Sequence, residues 1–103
     1  MGKKPQIVYR DFELDAEKAK ANNEEHEITF EEAASVFDDP LFIIFNDPDH
    51  SVGERRYIII GESGQRRYLF VSFTDREPRT RIISARELDA KERRNYEKRK
   101  EKL

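Results

Sequence analysis

From Leu41 onward the chain is a succession of short β-branched and aromatic runs separated by turn residues, and this punctuation constrains the fold more than any other feature. LFIIFND reads as a short buried strand, DPDHSVGE as a turn-rich loop, and ERRYIIIGES and RRYLFVSFT as two strands joined at Ser63 and Gly64. TRIISAR follows a DREP turn. Consecutive strands with such short connections pair with their neighbours, which predicts an antiparallel meander.

The first half adds one more alternating run, IVYRDFEL, followed by two helices. Asp15 is an N-cap for a helix reaching His26, polar on most of its surface. In ITFEEAASVFDDP, Thr29 and Glu32 have capping-box spacing, and Ile28 is set as a staple against Ala33. Phe30, Ala33, Ala34 and Phe37 form the apolar face, and Pro40 stops the helix with Asp38 and Asp39 in the turn before it. From Leu88 the pattern is helical again, with Glu87/Lys91 and Asp89/Arg93 at i,i+4 and Leu88, Glu92 and Tyr96 as an inward stripe. The expected architecture is α+β: an antiparallel sheet of about four to five strands, two N-terminal helices and a C-terminal helix packed on one face, the other face partly open.

At 103 residues the whole chain, 1–103, is expected to form a single domain with frayed ends. Charged residues make up 41% of it, but seven Phe and four Tyr argue against disorder. The absence of cysteine excludes disulfides, thiolate catalysis and cysteine zinc sites. The opening MGKKPQIVYR has no apolar leader core and no stretch approaches membrane-spanning length, so a soluble, cytoplasmic protein without membrane contact is expected. Charge is divided unequally: Met1 to Gly53 carry 5 basic and 13 acidic residues, Glu54 to Leu103 carry 15 and 9. The second half suits an anion; the first suits a cationic partner or simple solubility.

Three blocks in order, FELDAEKAKANNEEHEITFEEAASVFDDP, DPDHSVGERRYIIIG and TRIISARELDAKERRNYE, resemble the BrnT family of type II toxins over about Phe12 to Glu97. The matching positions include Asp15, Lys18, Asn22 and His26, then His50, Arg55 and Gly61, then Arg76, Arg81, Arg86, Glu92 and Tyr96. The resemblance implies a RelE-like ribonuclease that blocks translation by cutting RNA. It also implies a BrnA-type antitoxin with a ribbon-helix-helix element, operator DNA contacted through that antitoxin, and a heterotetramer of two toxins and two antitoxins. Leu14 stands where family members usually have Trp, Glu25-His26-Glu27 where Lys-His-Gly is usual, and Phe73 where a histidine often precedes Thr74.

RNA cleavage without a metal or cofactor needs a base for the 2′-hydroxyl, cations for the phosphorane and an acid for the leaving 5′-oxygen. Arg81 and Arg86 are the leading phosphate holders, since a guanidinium meets phosphate oxygens as a permanently charged fork. Strict alternation sends these two to opposite faces unless the strand ends or bulges before Arg86. His26 and Tyr96 are the further catalytic candidates, with a helix-end cation and a packed ring as their plain structural readings. Lys18, Asn22, Arg55 and Arg76 are candidate RNA contacts, whereas Glu54, next to arginines, suits a salt bridge. His50 lies in an acidic loop, and Tyr57, Tyr68, Phe70 and Phe73 are candidates for base stacking. Two other readings stay open: an impaired relative acting as antitoxin-binding co-repressor, suggested by Phe73, and a non-enzymatic nucleic-acid binder.

Overall fold

The computed structural model describes residues 6–9, 11–48 and 53–102, the first four as backbone only. Its elements are β1 (Gln6–Tyr9), β2 (Phe12–Asp15), α1 (Ala16–His26), α2 (Phe30–Ser35), a 3-10 turn (Val36–Asp38), β3 (Ile43–Asn46), β4 (Arg56–Glu62), β5 (Tyr68–Arg76), β6 (Arg79–Glu87) and α3 (Ala90–Glu101). The fold is α+β with three helices.

The sheet is mixed rather than purely antiparallel, with order β1-β2-β6-β5-β4-β3. β3 to β6 form the expected meander, but β2 joins β6 in parallel, Leu14 beside Ile82, and β1 extends the far edge. IVYRDFEL is therefore not one strand but two, folded back so that Tyr9 lies opposite Phe12. Alternating hydrophobicity looks the same in one long strand and in a tight hairpin, so periodicity alone did not distinguish them.

The helices also divide between the two faces instead of sharing one. Leu14, Ile59, Leu69, Val71, Ile82 and Ala85 from the sheet pack with Ile28, Phe30, Ala33 and Val36 beneath α1 and α2. Ile58 and Ile60 point the other way and meet Tyr96 and Leu88 from the α3 segment. With both sides covered, Ile58-Ile59-Ile60 is buried throughout, as a strand between two layers must be.

Local chemistry fixes the helix ends. The Asp15 carboxylate accepts from the N–H groups of Glu17 (2.9 Å) and Lys18 (3.1 Å), and α1 ends at Glu27 in the left-handed region, φ 57°. Thr29 Oγ1 accepts from Glu32 N as expected, but the Glu32 carboxylate does not return to the cap. It turns inward, accepting from Ser63 Oγ (2.7 Å) and Arg67 Nε (2.9 Å) in the β4–β5 turn. Burial opposes ionisation of Glu32, but these donors outweigh it and hold the carboxyl below its ordinary value. In α3 the reciprocal capping box belongs to Asp89 and Glu92, and Arg93 pairs with Glu97 rather than with Asp89.

LFIIFND is not a buried strand. β3 is the edge of the sheet, and while Ile43 packs against the α3-side core, Phe42, Ile44 and Phe45 remain exposed. An apolar run has the same composition whether a partner within the chain or one outside it provides the cover.

Asn22, one of the few polar residues in the core, joins three elements. Its Nδ2 donates to the Ile28 carbonyl (3.0 Å) and its Oδ1 accepts from the Ala85 N–H (3.0 Å), tying α1 to the α1–α2 loop and to β6. Asn22→Ala leaves a buried N–H and a buried carbonyl without partners and should cost about 2–3 kcal/mol, read as a lower urea midpoint at unchanged slope.

Candidate functional site

α3 covers only part of its face of the sheet. Beyond it lies an open groove of about 360 Å³ floored by Ser72 and Ser84 and bordered by Asp47, Arg56, Ile58, Phe70 and Ile83. Small polar side chains on β5 and β6 keep the floor low here, where bulkier residues elsewhere on the face meet α3. A register shift at Ser72/Phe73 shapes it further: Ser72 pairs with Ser84 but Phe73 with Ile82, so Ile83 is the extra residue of a bulge. The bulge resolves the alternation problem. Arg86, opposite Phe70, and Arg81, opposite Thr74, come to the same face as the two serines.

Each of these arginines is already held. Arg86 makes a two-pronged pair with Glu92 (2.8 and 3.0 Å), donates to the Glu87 carbonyl (3.1 Å) and lies 3.9 Å above the Phe70 ring. The hydrogen-bonded Glu92 carboxylate raises the Arg86 pKa further, and Arg86 holds Glu92 below the ordinary carboxylate range. Arg81 donates to Glu13 Oε1 (3.3 Å), its neighbour across the parallel β2–β6 pair. Their β5 partners are four positions apart, a separation of roughly 13 Å at strand rise. With Arg86 held by Glu92 and Arg81 by Glu13, the two guanidinium groups flank the groove from opposite ends without lining it.

The remaining sequence candidates do not converge on it. Tyr96 is buried, and its hydroxyl donates to Asp39 Oδ2, which also accepts from Glu62 N (2.7 Å). Burial first, and the Asp39 carboxylate second, raise the phenol pKa, so the proton stays on Tyr96. His26 ends α1 on the opposite side of the sheet, 3.8 Å from Glu25. Lys18 is exposed on that same helix, while Asn22, expected to meet RNA, is buried with both ends of its amide engaged. Arg55 is exposed, and Arg76 pairs with Glu54 at 3.3 Å, the salt bridge expected of that glutamate. His50 lies outside the described residues.

The aromatic residues separate as well. Phe73 stacks on Tyr57 (5.4 Å, 25°) and meets Phe37 edge-on (5.0 Å) beneath the α1–α2 layer. Tyr68 and Phe70 lie on the α3 side, under Arg93 and Arg86 respectively. The residue that departs from the family histidine is therefore in the aromatic core, across the sheet from the groove.

Sequence reasoning missed Arg56, Ser72 and Ser84, whose shared face depends on strand register, and Asp39, which fastens α3. Asp-Pro at 39–40 was a turn signal, and Asp39 does accept from Leu41 N (2.9 Å) in an Asx-type turn. Its role across the molecule left no local trace. Among the described residues, no three His, Asp or Glu side chains cluster as metal ligands would.

Burial works against the charged Asp39, but the Tyr96 hydroxyl and the N–H groups of Glu62 and Leu41 prevail and lower its pKa. A carboxyl lowered in the folded state contributes stability above its unfolded pKa and loses it as pH falls through the folded value. Acid titration below about pH 4 should loosen α3. Tyr96→Phe should cost about 1.5 kcal/mol at neutral pH and flatten the acid limb of the stability profile, both measurable by urea denaturation between neutral and acid pH.

Among curated proteins none matches the chain. A family model does match residues 14–92, spanning β2 to the first turn of α3 and hence Arg81, Arg86 and every described wall of the groove. That model describes BrnT, the ribonuclease toxin of a type II toxin-antitoxin system, and the chain belongs to this family.

Proposed function

We propose that the chain is a metal-independent endoribonuclease toxin, RelE-like in fold, that binds single-stranded RNA along the groove between Arg81 and Arg86 and cleaves it to inhibit translation. The observation that carries this reading is the bulge at Ile83, which brings both arginines to the face that also presents Arg56, Ser72 and Ser84. In a toxin of a ribonuclease family, a concave polar strip with guanidinium groups at both ends is suited to successive phosphates of one strand.

The arginines bind phosphate and offset charge on the phosphorane. Asp47, the one carboxylate among the groove's described lining residues, takes the 2′-hydroxyl proton. Attack of that oxygen on phosphorus forms the new P–O2′ bond and breaks the P–O5′ bond, the leaving 5′-oxygen taking its proton from solvent water at the open groove. The products are a 2′,3′-cyclic phosphate and a 5′-hydroxyl end. Neutralisation is by a BrnA-type ribbon-helix-helix antitoxin in a two-to-two complex, through which operator DNA is contacted, in the cytoplasm. Among the described residues no helix is long and apolar enough to cross a membrane.

The co-repressor reading drew its support from Phe73. Because Phe73 packs with Tyr57 and Phe37 across the sheet, its presence removes no group from the groove, and the nuclease reading is preferred.

The purified chain, incubated with RNA in excess EDTA, should release fragments with cyclic-phosphate ends. Ser84→Glu puts a carboxylate on an exposed floor position, and should weaken RNA binding about tenfold without moving the melting temperature. Asp47→Asn should lower cleavage about a hundredfold and leave binding intact. A folded chain that never cuts RNA favours the co-repressor; full activity in Asp47→Asn removes the assigned base.

A further inference from the structure

Among the described residues, the large apolar side chains left exposed by the fold gather at one sheet edge. Phe42, Ile44 and Phe45 are 38%, 43% and 42% exposed, although folding usually buries such residues. β3 is hydrogen-bonded only to β4 within the sheet, so its outer backbone edge is open. Towards α3 the edge continues into an apolar cleft of about 260 Å³, floored by Ile43, Phe45, Ile60 and Tyr96.

A row of positive charge borders this cleft. Asn95 lines it and also lines the adjoining hollow formed with Lys98, Arg99 and Lys102, all exposed on one side of α3. An apolar strip with cations along its margin is complementary to a segment that carries apolar side chains on one side and carboxylates beside them. A second copy of the chain meeting it through the same surface would present the same cations and be repelled. RNA would satisfy the cations but leave the aliphatic floor without a partner.

We propose that the β3–α3 edge is the docking surface of the antitoxin, and that it receives a segment of apolar anchors bordered by Asp and Glu. This rests on the reading of the chain as a toxin held by a protein antitoxin. The surface also gives inhibition a physical route, because the cleft adjoins the groove. The Phe45 ring meets the groove residue Phe70 edge-on at 6.5 Å, and Glu92 lines the cleft while gripping Arg86. A segment seated in the cleft therefore abuts the Arg86 end of the groove and crowds RNA from it.

The test uses the full chain and, as antitoxin, the protein expressed from the adjacent reading frame. Binding is measured by calorimetry for the wild type, for Phe45→Ala, which trims the cleft floor, and for the double variant Lys98→Glu/Arg99→Glu. All three positions are exposed and outside the groove, so folding and cleavage by the free variants should be unchanged. Each variant should bind at least about tenfold more weakly, and the defect of the charge-reversed variant should shrink as salt rises. Wild-type affinity in both variants overturns the proposal. So does a dimer of the free chain that Phe45→Ala dissociates, or a loss of RNA binding in the double variant with antitoxin binding intact. A wild-type chain inert towards RNA, whose antitoxin binding still falls in both variants, overturns the nuclease reading and supports the surface.

Discussion

The Asp39 carboxylate holds the two layers of the molecule together. It accepts from Leu41 N, Glu62 N and the Tyr96 hydroxyl, so one side chain closes the turn into β3, secures the end of β4 and fastens α3. Gly61 makes room for it: a Cβ there would stand 2.8 Å from Asp39 Oδ2 and 3.0 Å from Val36. Since α3 has few apolar residues of its own, this contact and the Arg86–Glu92 pair determine where the helix stops and the groove begins. A helix this polar is positioned by a few specific bonds more than by area.

The unequal charge of the two halves is partly spent inside the fold. Glu13 and Glu32, from the acidic half, receive Arg81 and Arg67 from the basic half across long stretches of sequence. Buried carboxylates need partners, and the sheet brings these partners to them. The arginines flanking IISA thus have a structural duty as well as a proposed chemical one. Phosphate would compete with Glu13 and Glu92 for guanidinium groups already aligned and partly desolvated, which favours binding by exchange of one acceptor for another.

Much of the architecture was legible because it depends on nearest neighbours. The β3-to-β6 meander follows from short turns, and the Asp15 and Thr29 caps from side chains one turn from the N–H groups they satisfy. The parallel β2–β6 contact was not legible, nor was the diversion of Glu32 from its cap to Arg67, since both depend on residues far apart in the chain. Candidate site residues fared unevenly for the same reason. His26 and Tyr96 looked suitable by type, but the sheet separates His26 from the groove and Asp39 commits the Tyr96 proton.

By itself, the sequence determined the α+β class, the strand-rich second half, the helix starts and the family, all of which reside in local order of residue types. Tertiary structure alone decided which face each helix covers, that Ile83 bulges and brings Arg81 and Arg86 to one side, and that LFIIFND lies at an open edge. The reason is physical. A strand's pattern states which residues alternate, but the face they share, and whether anything covers it, depends on register and on partners that only the folded chain brings together.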